Sequence, residues 1–172
     1  SKKKNLKLLD INKECKKIEH TFFKPVSNFK IKNLAMAIKA LKLCGLGDKL
    51  IYKAIKKVQD VNGRLELVKS YRNGVKVFVD YAHTPDALLK SLISLKIDYK
   101  NNISLVFGCG GERDQTKRPI MAKIADDYCK NIYITDDNPR SENPKKIRDE
   151  LFKYIKKNKV LNIGDRKLAI KK

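Results

Sequence analysis

The feature that most constrains this chain is a pattern that occurs three times between Val75 and Arg140. Each time, a β-rich apolar run ends in a loop rich in Gly, Asp, His, Arg and Pro, and a helical pattern follows. Strand, loop and helix in this order are typical of a mostly parallel sheet with helices on its faces, whose ligand sites lie where the strands end. The sequence therefore predicts an α/β fold with its site in these loops.

The segment before Gly63 has helical spacing instead. Apolar residues between Leu34 and Leu43 and between Asp48 and Val58 predict two helices, joined as a helical hairpin by Gly45-Leu46-Gly47. Asn28 or Asn33 could cap the first of them. Residues 1–25 have no clear period, and KKIEHTFFKPV hints at a strand that ends at Pro25.

From Gly63 onward the period becomes strand-like, which places a domain boundary near this residue. Residues 64–68 and 75–80 alternate on either side of Asn73-Gly74, a strong signal for a β-hairpin turn. The elements predicted downstream are strand 75–80, helix 85–96, strand 102–107, helix 118–130, strand 131–135, helix 144–157, strand 159–163 and a further helix from Asp165. Because neither Ser1 nor Lys172 is a natural end for such a pattern, we expect a fragment of a longer protein.

The charge of the chain raises the question of a nucleic-acid partner. Lys and Arg number 40 against 19 Asp and Glu, so the formal net charge is +21. Lys is spread along the whole chain, however, whereas specific readers of nucleic acids concentrate Arg and aromatic residues on one element. We therefore favour a solvated basic surface, which would also attract a small anionic ligand such as a nucleotide.

Composition also bears on the compartment and on metals. No apolar run reaches the length of about 18 residues that indicates a membrane span, and the start of the chain does not resemble a signal peptide. The 4 cysteines form no C-x-x-C pair. We therefore expect no zinc site and a reduced, cytoplasmic setting.

The first loop, DYAHTPD, offers groups for a nucleotide. Asp80 at a strand end can accept hydrogen bonds from ribose hydroxyls, and His83 can reach a phosphate. Thr84 and Pro85 suit the cap and first position of the following helix, whose amino end favours anions. The alternative is a capped strand-to-helix turn with a surface histidine.

The second and third loops offer groups for a small acidic molecule. Glycines after residue 107 allow close backbone approach, and Arg113 presents a planar fork to a carboxylate or phosphate. Arg113 and Arg140 could together grip the carboxylates of one ligand. Alternatively, Asp136 and Asp137 merely pair with these arginines. Cys109 is either reactive or a small residue that fills a tight turn.

Taken together, these loops resemble one known family, the Mur ligases, in the MurE branch. Those are cytoplasmic peptidoglycan enzymes that join the third amino acid to UDP-N-acetylmuramoyl-L-alanyl-D-glutamate. The motifs that carry the resemblance are GRLE at residues 63–66, DYAHTPDAL at 80–88, FGCGGERDQTKRP at 107–119 and TDDNPR at 135–140.

The resemblance implies a division into domains and a set of nucleotide contacts. Residues 1–62 would be the C-terminal part of the central ATP-binding domain, and residues 63–172 most of the Rossmann-like C-terminal domain. The P-loop, a carbamylated lysine and the UDP-sugar domain would precede Ser1, so the chain would be inactive alone. The segment FKIKN, which departs from the family's F-N-x-x-N at Lys30, implies that Asn33 contacts adenine. Further contacts to the base or ribose and the phosphates are implied for Arg64, Asp80 and His83.

The resemblance also implies the amino-acid substrate. Arg113 and the run Asp137, Asn138, Pro139 and Arg140 match the family's amino-acid site. Relatives that add lysine tend to lack the last arginine, so Arg140 implies meso-diaminopimelate, whose distal carboxylate needs a partner.

The implied reaction uses ATP and Mg²⁺. The γ-phosphate passes to the D-glutamyl carboxylate, and the diaminopimelate amine attacks the resulting acyl phosphate. No residue of this chain is assigned as catalytic or as a metal ligand. The alternatives are a lysine-adding or folylpolyglutamate synthase-like ligase and, on charge alone, a basic nucleic-acid-binding module.

Overall fold

The computed structural model of the chain describes residues 9–21, 28–59, 61–99 and 102–172. The chain divides into two compact units, residues 1–60 and 61–172. Within the described residues the elements in chain order are α1 (Asn12–Thr21), α2 (Asn28–Leu43), α3 (Asp48–Ile55), β1 (Glu66–Ser70), β2 (Lys76–Val79), α4 (Pro85–Tyr99), β3 (Ser104–Phe107), α5 (Lys117–Tyr128), β4 (Asn131–Ile134), α6 (Pro144–Phe152), β5 (Val160–Asn162) and α7 (Arg166–Ile170). No described helix is both long enough and apolar enough to cross a membrane.

The first unit packs α1, α2 and α3 around a small core of isoleucines. Ile18, Ile38 and Ile51 contribute one residue from each helix and are almost completely buried. The helical hairpin formed by α2 and α3 was predicted, although α3 ends at Ile55 and leaves Val58 beyond it, exposed. The spacing thus predicted the helices but only part of their core. Ile38, Ile51 and Ile55 are buried, whereas Leu41, Leu43 and Leu50 are exposed.

The helix α1 contradicts the strand hinted at by KKIEHTFFKPV. Residues 16–21 are helical, and residues 22–27 lie outside the described part of the chain. A carboxylate oxygen of Asp10 accepts a hydrogen bond from the Asn12 backbone amide at 2.9 Å, which satisfies one of the unpaired amides at the start of a helix. Glu14 and Ile18, four residues apart, both lie on the buried face. Helical burial thus outweighs the local strand propensity of the segment.

The second unit begins with the predicted β-hairpin. Strands β1 and β2 are antiparallel, and the Tyr71 backbone amide donates to the Val75 carbonyl at 2.8 Å across the turn. Gly74 has a φ of +84°, a conformation that glycine adopts without strain. We had expected strand 75–80 to join the parallel sheet. That prediction is wrong: in the described residues, β2 is hydrogen-bonded only to β1, to which the Asn73-Gly74 turn connects it.

The parallel sheet consists of β3, β4 and β5 in that order. Ile132 and Ile134 of β4 are fully buried and lie in the main core, to which α5 and α6 contribute Ala122, Ala125 and Leu151. Side chains of a strand alternate between its two faces, so the core lies on the side of the sheet that these isoleucines share. The predicted α/β class and the parallel arrangement are confirmed.

The helix α6 is shorter than predicted. It ends at Phe152 rather than near residue 157, and the backbone amides of Tyr154 and Ile155 bond to carbonyls three residues earlier. The chain thus tightens into turns that still bury Ile155. The apolar spacing continues past the helix because these turns pack against the same core.

Candidate functional site

Three loops of the second unit carry most of the predicted site residues. We call residues 80–84 the first loop, residues 108–116 the second loop and residues 135–143 the third loop. In the parallel pair, Phe107 lies beside Ile134, so the second and third loops leave the sheet side by side at the same edge. Lys117 Nζ donates to the His83 carbonyl at 2.8 Å and so links the first loop to the start of α5.

The first loop combines a capped turn with a fixed carboxylate. Asp80 accepts hydrogen bonds from the Ala82 amide at 2.8 Å and from the Ser91 hydroxyl at 2.9 Å, one on each carboxylate oxygen. Thr84 Oγ1 accepts from the Ala87 amide at 3.3 Å, as expected for a helix cap. Each Asp80 oxygen keeps a further lone pair, so the structural role leaves room for a ligand hydroxyl.

An exposed ring cluster joins Arg64 to His83 through Tyr81. The Arg64 guanidinium lies 4.7 Å from the centre of the Tyr81 ring, and the His83 ring contacts the same ring edge-on with a centroid distance of 5.1 Å. His83 Nδ1 lies 3.1 Å from the Tyr81 carbonyl. The structure thus brings two predicted nucleotide contacts together around an aromatic residue that sequence reasoning missed. In such a cluster, the cation and the aromatic ring suit the base or ribose of a nucleotide, and the imidazole suits a phosphate.

The second and third loops are in direct backbone contact. The Gly111 amide donates to the Asn138 carbonyl at 2.9 Å. A β-carbon at Gly108 would overlap the Thr135 carbonyl oxygen, and one at Gly111 would overlap the Pro139 carbonyl oxygen. The glycines are needed here because the two loops approach more closely than any side chain allows.

Arg140 is fixed by this contact between the loops. Its Nη1 donates to the Gly111 carbonyl at 2.6 Å, which leaves Nε and Nη2 as further donors. Its φ is +51°, as is that of Glu112. Such a backbone conformation costs a residue other than glycine about 1–2 kcal/mol, so the surroundings must hold it in place.

The two predicted arginines differ in their surroundings. Arg113 is exposed and makes no hydrogen bond or ion pair within the described residues, whereas Arg140 is bound to the neighbouring loop. The alternative that Asp136 and Asp137 pair with them is wrong. Asp136 forms an ion pair with Arg148 of α6, and Asp137 lies 3.6 Å from Arg166 of α7.

The third loop is also tied to α7 through its backbone. Arg166 donates to the Asp136 carbonyl from Nη2 at 3.0 Å and from Nε at 3.2 Å. The other predicted residues of this loop, Asn138 and Pro139, supply the carbonyls that face Gly111. Arg148 and Arg166 could not be identified from the sequence, because their partners Asp136 and Asp137 are distant in the chain and no motif relates them.

Beneath the second and third loops lies a buried arginine. Arg118 is 2% exposed. Its Nη2 contacts both carboxylate oxygens of Glu142 at 2.9 and 3.0 Å and the Gly110 carbonyl at 3.3 Å, and its Nη1 contacts Glu150 at 2.9 Å. Burial lowers the pKa of Arg118, but its bonds to Glu150 and Glu142 outweigh this effect, so the pKa lies above its ordinary value.

The sequence carries a signal for the burial of Arg118. Residues 118, 121, 122 and 125 lie on one face of α5, and all of them are buried. An arginine on an apolar helical stripe indicates a buried charge with acidic partners.

Cys109 packs rather than reacts. The residue is buried, and its Sγ lies 3.9 Å from the sulfur of Met121. Burial raises the pKa of the Cys109 thiol to about 11, so the thiolate is scarce at neutral pH. Across the described part of the chain, no three His, Cys, Asp or Glu side chains converge as a metal-binding group.

Asn33 belongs to the first unit, whereas the three loops belong to the second. It lies on the exposed side of α2. The structure therefore gathers Arg64, Asp80 and His83 in one region of the second unit and Arg113 and Arg140 on the adjoining second and third loops.

The fold and the loops define an α/β domain whose candidate ligand-binding groups lie in the loops that follow its strands. Residues 63–172 match the family model described as Mur ligase, glutamate ligase domain. The chain belongs to the Mur ligase family.

Two curated relatives carry the same name. A UDP-N-acetylmuramoyl-L-alanyl-D-glutamate–2,6-diaminopimelate ligase from Rickettsia bellii is 44% identical over 148 residues, which cover 85% of this chain and 30% of that protein. The ligase of the same name from Rickettsia conorii is 40% identical over 170 residues, covering 97% of this chain and 35% of that protein. The chain thus spans about a third of the length of these relatives.

A solved structure agrees with the fold. The structure of a protein with the same ligase name superposes with a TM-score of 0.59 at 35% identity, over 85% of this chain and 30% of that one. The similarity therefore includes both sequence and fold.

Proposed function

We propose that this chain is part of an ATP-dependent ligase that adds meso-diaminopimelate to UDP-N-acetylmuramoyl-L-alanyl-D-glutamate in peptidoglycan synthesis, in the cytoplasm. The observation that carries the proposal is that two contacting loops each carry an arginine that could bind a carboxylate. Arg113 makes no hydrogen bond within the described residues, and Arg140 is held in place by the Gly111 carbonyl. Membership of the family and the shared name of the relatives support it.

The two units are proposed to serve different domains of that ligase. Residues 1–62 would form the end of the central ATP-binding domain, with Asn33 contacting adenine, and residues 63–172 the C-terminal domain. The alignment of one relative over 97% of the chain supports placing both units in one enzyme. Alone, the chain is expected to be inactive.

For the nucleotide, we propose the first loop and Arg64. The exposed Tyr81 ring and Arg64 suit a base or ribose, Asp80 a ribose hydroxyl, and His83 a phosphate oxygen. ATP would donate its γ-phosphate to the D-glutamyl carboxylate, and the amine of diaminopimelate would displace that phosphate. Mg²⁺ would neutralise charge on the phosphates. The residues of this chain contribute position and charge rather than covalent chemistry.

For the amino acid, we propose that Arg113 and Arg140 bind carboxylates, with Asp137, Asn138 and Pro139 completing the site. Arg140 bonded to Gly111 keeps free donors in a fixed orientation, which suits the distal carboxylate of diaminopimelate. Lysine has no such carboxylate and would leave the guanidinium unpaired.

The test is a pair of variants in the full-length ligase. Arg140→Ala should lower kcat/KM for diaminopimelate by about 100-fold, because a charge-assisted bond worth roughly 2–3 kcal/mol is lost, while KM for ATP changes little. Arg64→Ala should give the reverse pattern. Rates of ADP formation with each substrate varied in turn distinguish the two.

Equal losses for both substrates in Arg140→Ala would contradict the assignment of that residue. Competition between diaminopimelate, lysine and glutamate in the same assay separates this ligase from a lysine-adding or folylpolyglutamate synthase-like one. Preference for lysine or glutamate would overturn the substrate proposal itself.

A further inference from the structure

Glu142 occupies an unusual position for a residue outside the matched substrate motif. It follows the third loop's arginine by two positions, yet one of its carboxylate oxygens accepts a hydrogen bond from the Glu112 amide of the second loop at 2.5 Å. Gln115 Nε2 lies 3.5 Å from the same oxygen. One carboxylate therefore connects the two loops that carry Arg113 and Arg140.

Arg118 fixes the other side of this carboxylate. Both oxygens of Glu142 contact Arg118 Nη2, and the same nitrogen reaches the Gly110 carbonyl at 3.3 Å. Because Arg118 is buried on α5, it cannot follow a displaced loop into solvent. The positions of both loops relative to the core are thus fixed by their hydrogen bonds to Arg118.

Glu142 connects the two loops close to two residues with an unfavourable backbone conformation. Glu112 and Arg140 both have φ values of +51°. Glu112 is held by the Glu142 carboxylate at its amide and by the Ser141 hydroxyl at its own carboxylate. Release of Glu142 would let both residues relax, and the direction of the Arg140 side chain would change with them.

We propose that Glu142, anchored by Arg118, is a positioning residue of the amino-acid site that sets the distance between the two arginine-bearing loops. It acts through the loops and contacts no substrate. This inference rests on the proposed function of Arg113 and Arg140.

Glu150 provides a matched control. It forms an ion pair with the same arginine at the same distance of 2.9 Å, but it lies on α6 and makes no bond to either loop within the described residues. Substitution of either glutamate by glutamine removes one charge from Arg118 with little change of shape. If the ion pairs of Arg118 only stabilised the fold, the two substitutions would change the KM for diaminopimelate equally.

The experiment compares Glu142→Gln and Glu150→Gln in the full-length ligase. We expect Glu142→Gln to raise KM for diaminopimelate by about tenfold with KM for ATP unchanged, because displacement of a binding group by a fraction of an ångström is costly. Glu150→Gln should alter both KM values less than about twofold, although both variants lower Tm. The same diaminopimelate KM in the two variants would overturn the positioning role.

Ser141→Ala gives a second measurement should Glu142→Gln not fold. It removes one exposed hydroxyl that holds the Glu112 carboxylate, and we expect diaminopimelate KM to rise about threefold. An unchanged KM would also count against the proposal. Failure of the wild-type ligase to use diaminopimelate would instead contradict the proposed function.

Discussion

The first loop and the contacting second and third loops belong to the same unit but are stabilised differently. In the first loop, His83 and Tyr81 are exposed, and Tyr81 has 65% of its surface accessible, whereas Asp80 is half-buried. The other two loops are joined by backbone contacts, by Arg140 and by the ion pair of Glu142 with the buried Arg118. A site arranged before its ligand arrives binds with less loss of conformational freedom. We infer that the backbone of the second and third loops and the Arg140 side chain are arranged before a ligand binds, whereas the exposed Tyr81 and His83 rings of the first loop adjust to it.

The largest expected effect comes from forcing the second and third loops apart. Gly111→Ala places a β-carbon on the Pro139 carbonyl, and backbone atoms cannot move aside as a flexible side chain can. We expect a loss of about 2–4 kcal/mol in the free energy of unfolding, measured by urea denaturation of the 172-residue chain.

The control for this substitution is Gly47→Ala. Nothing lies within 4 Å of a β-carbon at Gly47, which precedes α3. We expect a loss of about 1 kcal/mol or less, as for a weakened helix cap. Similar losses at the two glycines would show that the loops are not closely packed against each other.

An intermediate effect is expected from acid. The hydrogen bond from the Glu112 amide, together with Arg118, holds the pKa of Glu142 below its ordinary value of 4.5. A depressed pKa in the folded state stabilises it fully above the unfolded pKa, and this contribution is lost as pH falls through the lower folded value. The contact between the loops should therefore weaken as pH falls below the ordinary pKa of a glutamate.

Amide hydrogen exchange can localise this acid effect. The Gly111 amide, bonded to Asn138, reports on the second and third loops, and the Tyr81 amide, bonded to the Gly63 carbonyl, reports on the first. Protection of Gly111 should fall more steeply with acid than that of Tyr81, and Glu142→Gln should remove the difference. A parallel decline in both would mean that acid acts on the whole unit.

The smallest effect on stability is expected in the first loop. Tyr81→Ala removes a mostly exposed ring, so the free energy of unfolding should change by about 0.5 kcal/mol or less. In the full-length ligase, KM for ATP should rise about three- to fivefold, because Arg64, a proposed ATP contact, loses its cation–π contact with the Tyr81 ring. A stability loss near that of Gly111→Ala would show that the first loop is as firmly held as the others.

The sequence predicted those parts of the fold that depend on local patterns. Strand and helix periods gave the order of elements after Gly63, and Asn73-Gly74 gave the hairpin. The sequence also predicted that Arg113 and Arg140 lie on neighbouring loops, because each follows a strand and the carboxyl ends of parallel strands meet at one edge of the sheet. These features need no knowledge of distant partners.

The remaining features depend on pairings across the chain. Arg118 meets Glu142 and Glu150 at separations of 24 and 32 residues, and Asp136 meets Arg148 instead of a neighbouring arginine. Several arginines and acids of similar spacing compete for such pairs, so the sequence left the choice open. The local pattern of residues 75–80 likewise does not specify which strands pair with β2.

The bond between Arg166 and the Asp136 carbonyl links residues 30 positions apart. During synthesis, the third loop leaves the ribosome well before the helix that holds it. Its backbone can reach the final arrangement only after α7 has emerged. The part of the site that we expect to select the amino acid is therefore completed only after residues 166–170 have been synthesised.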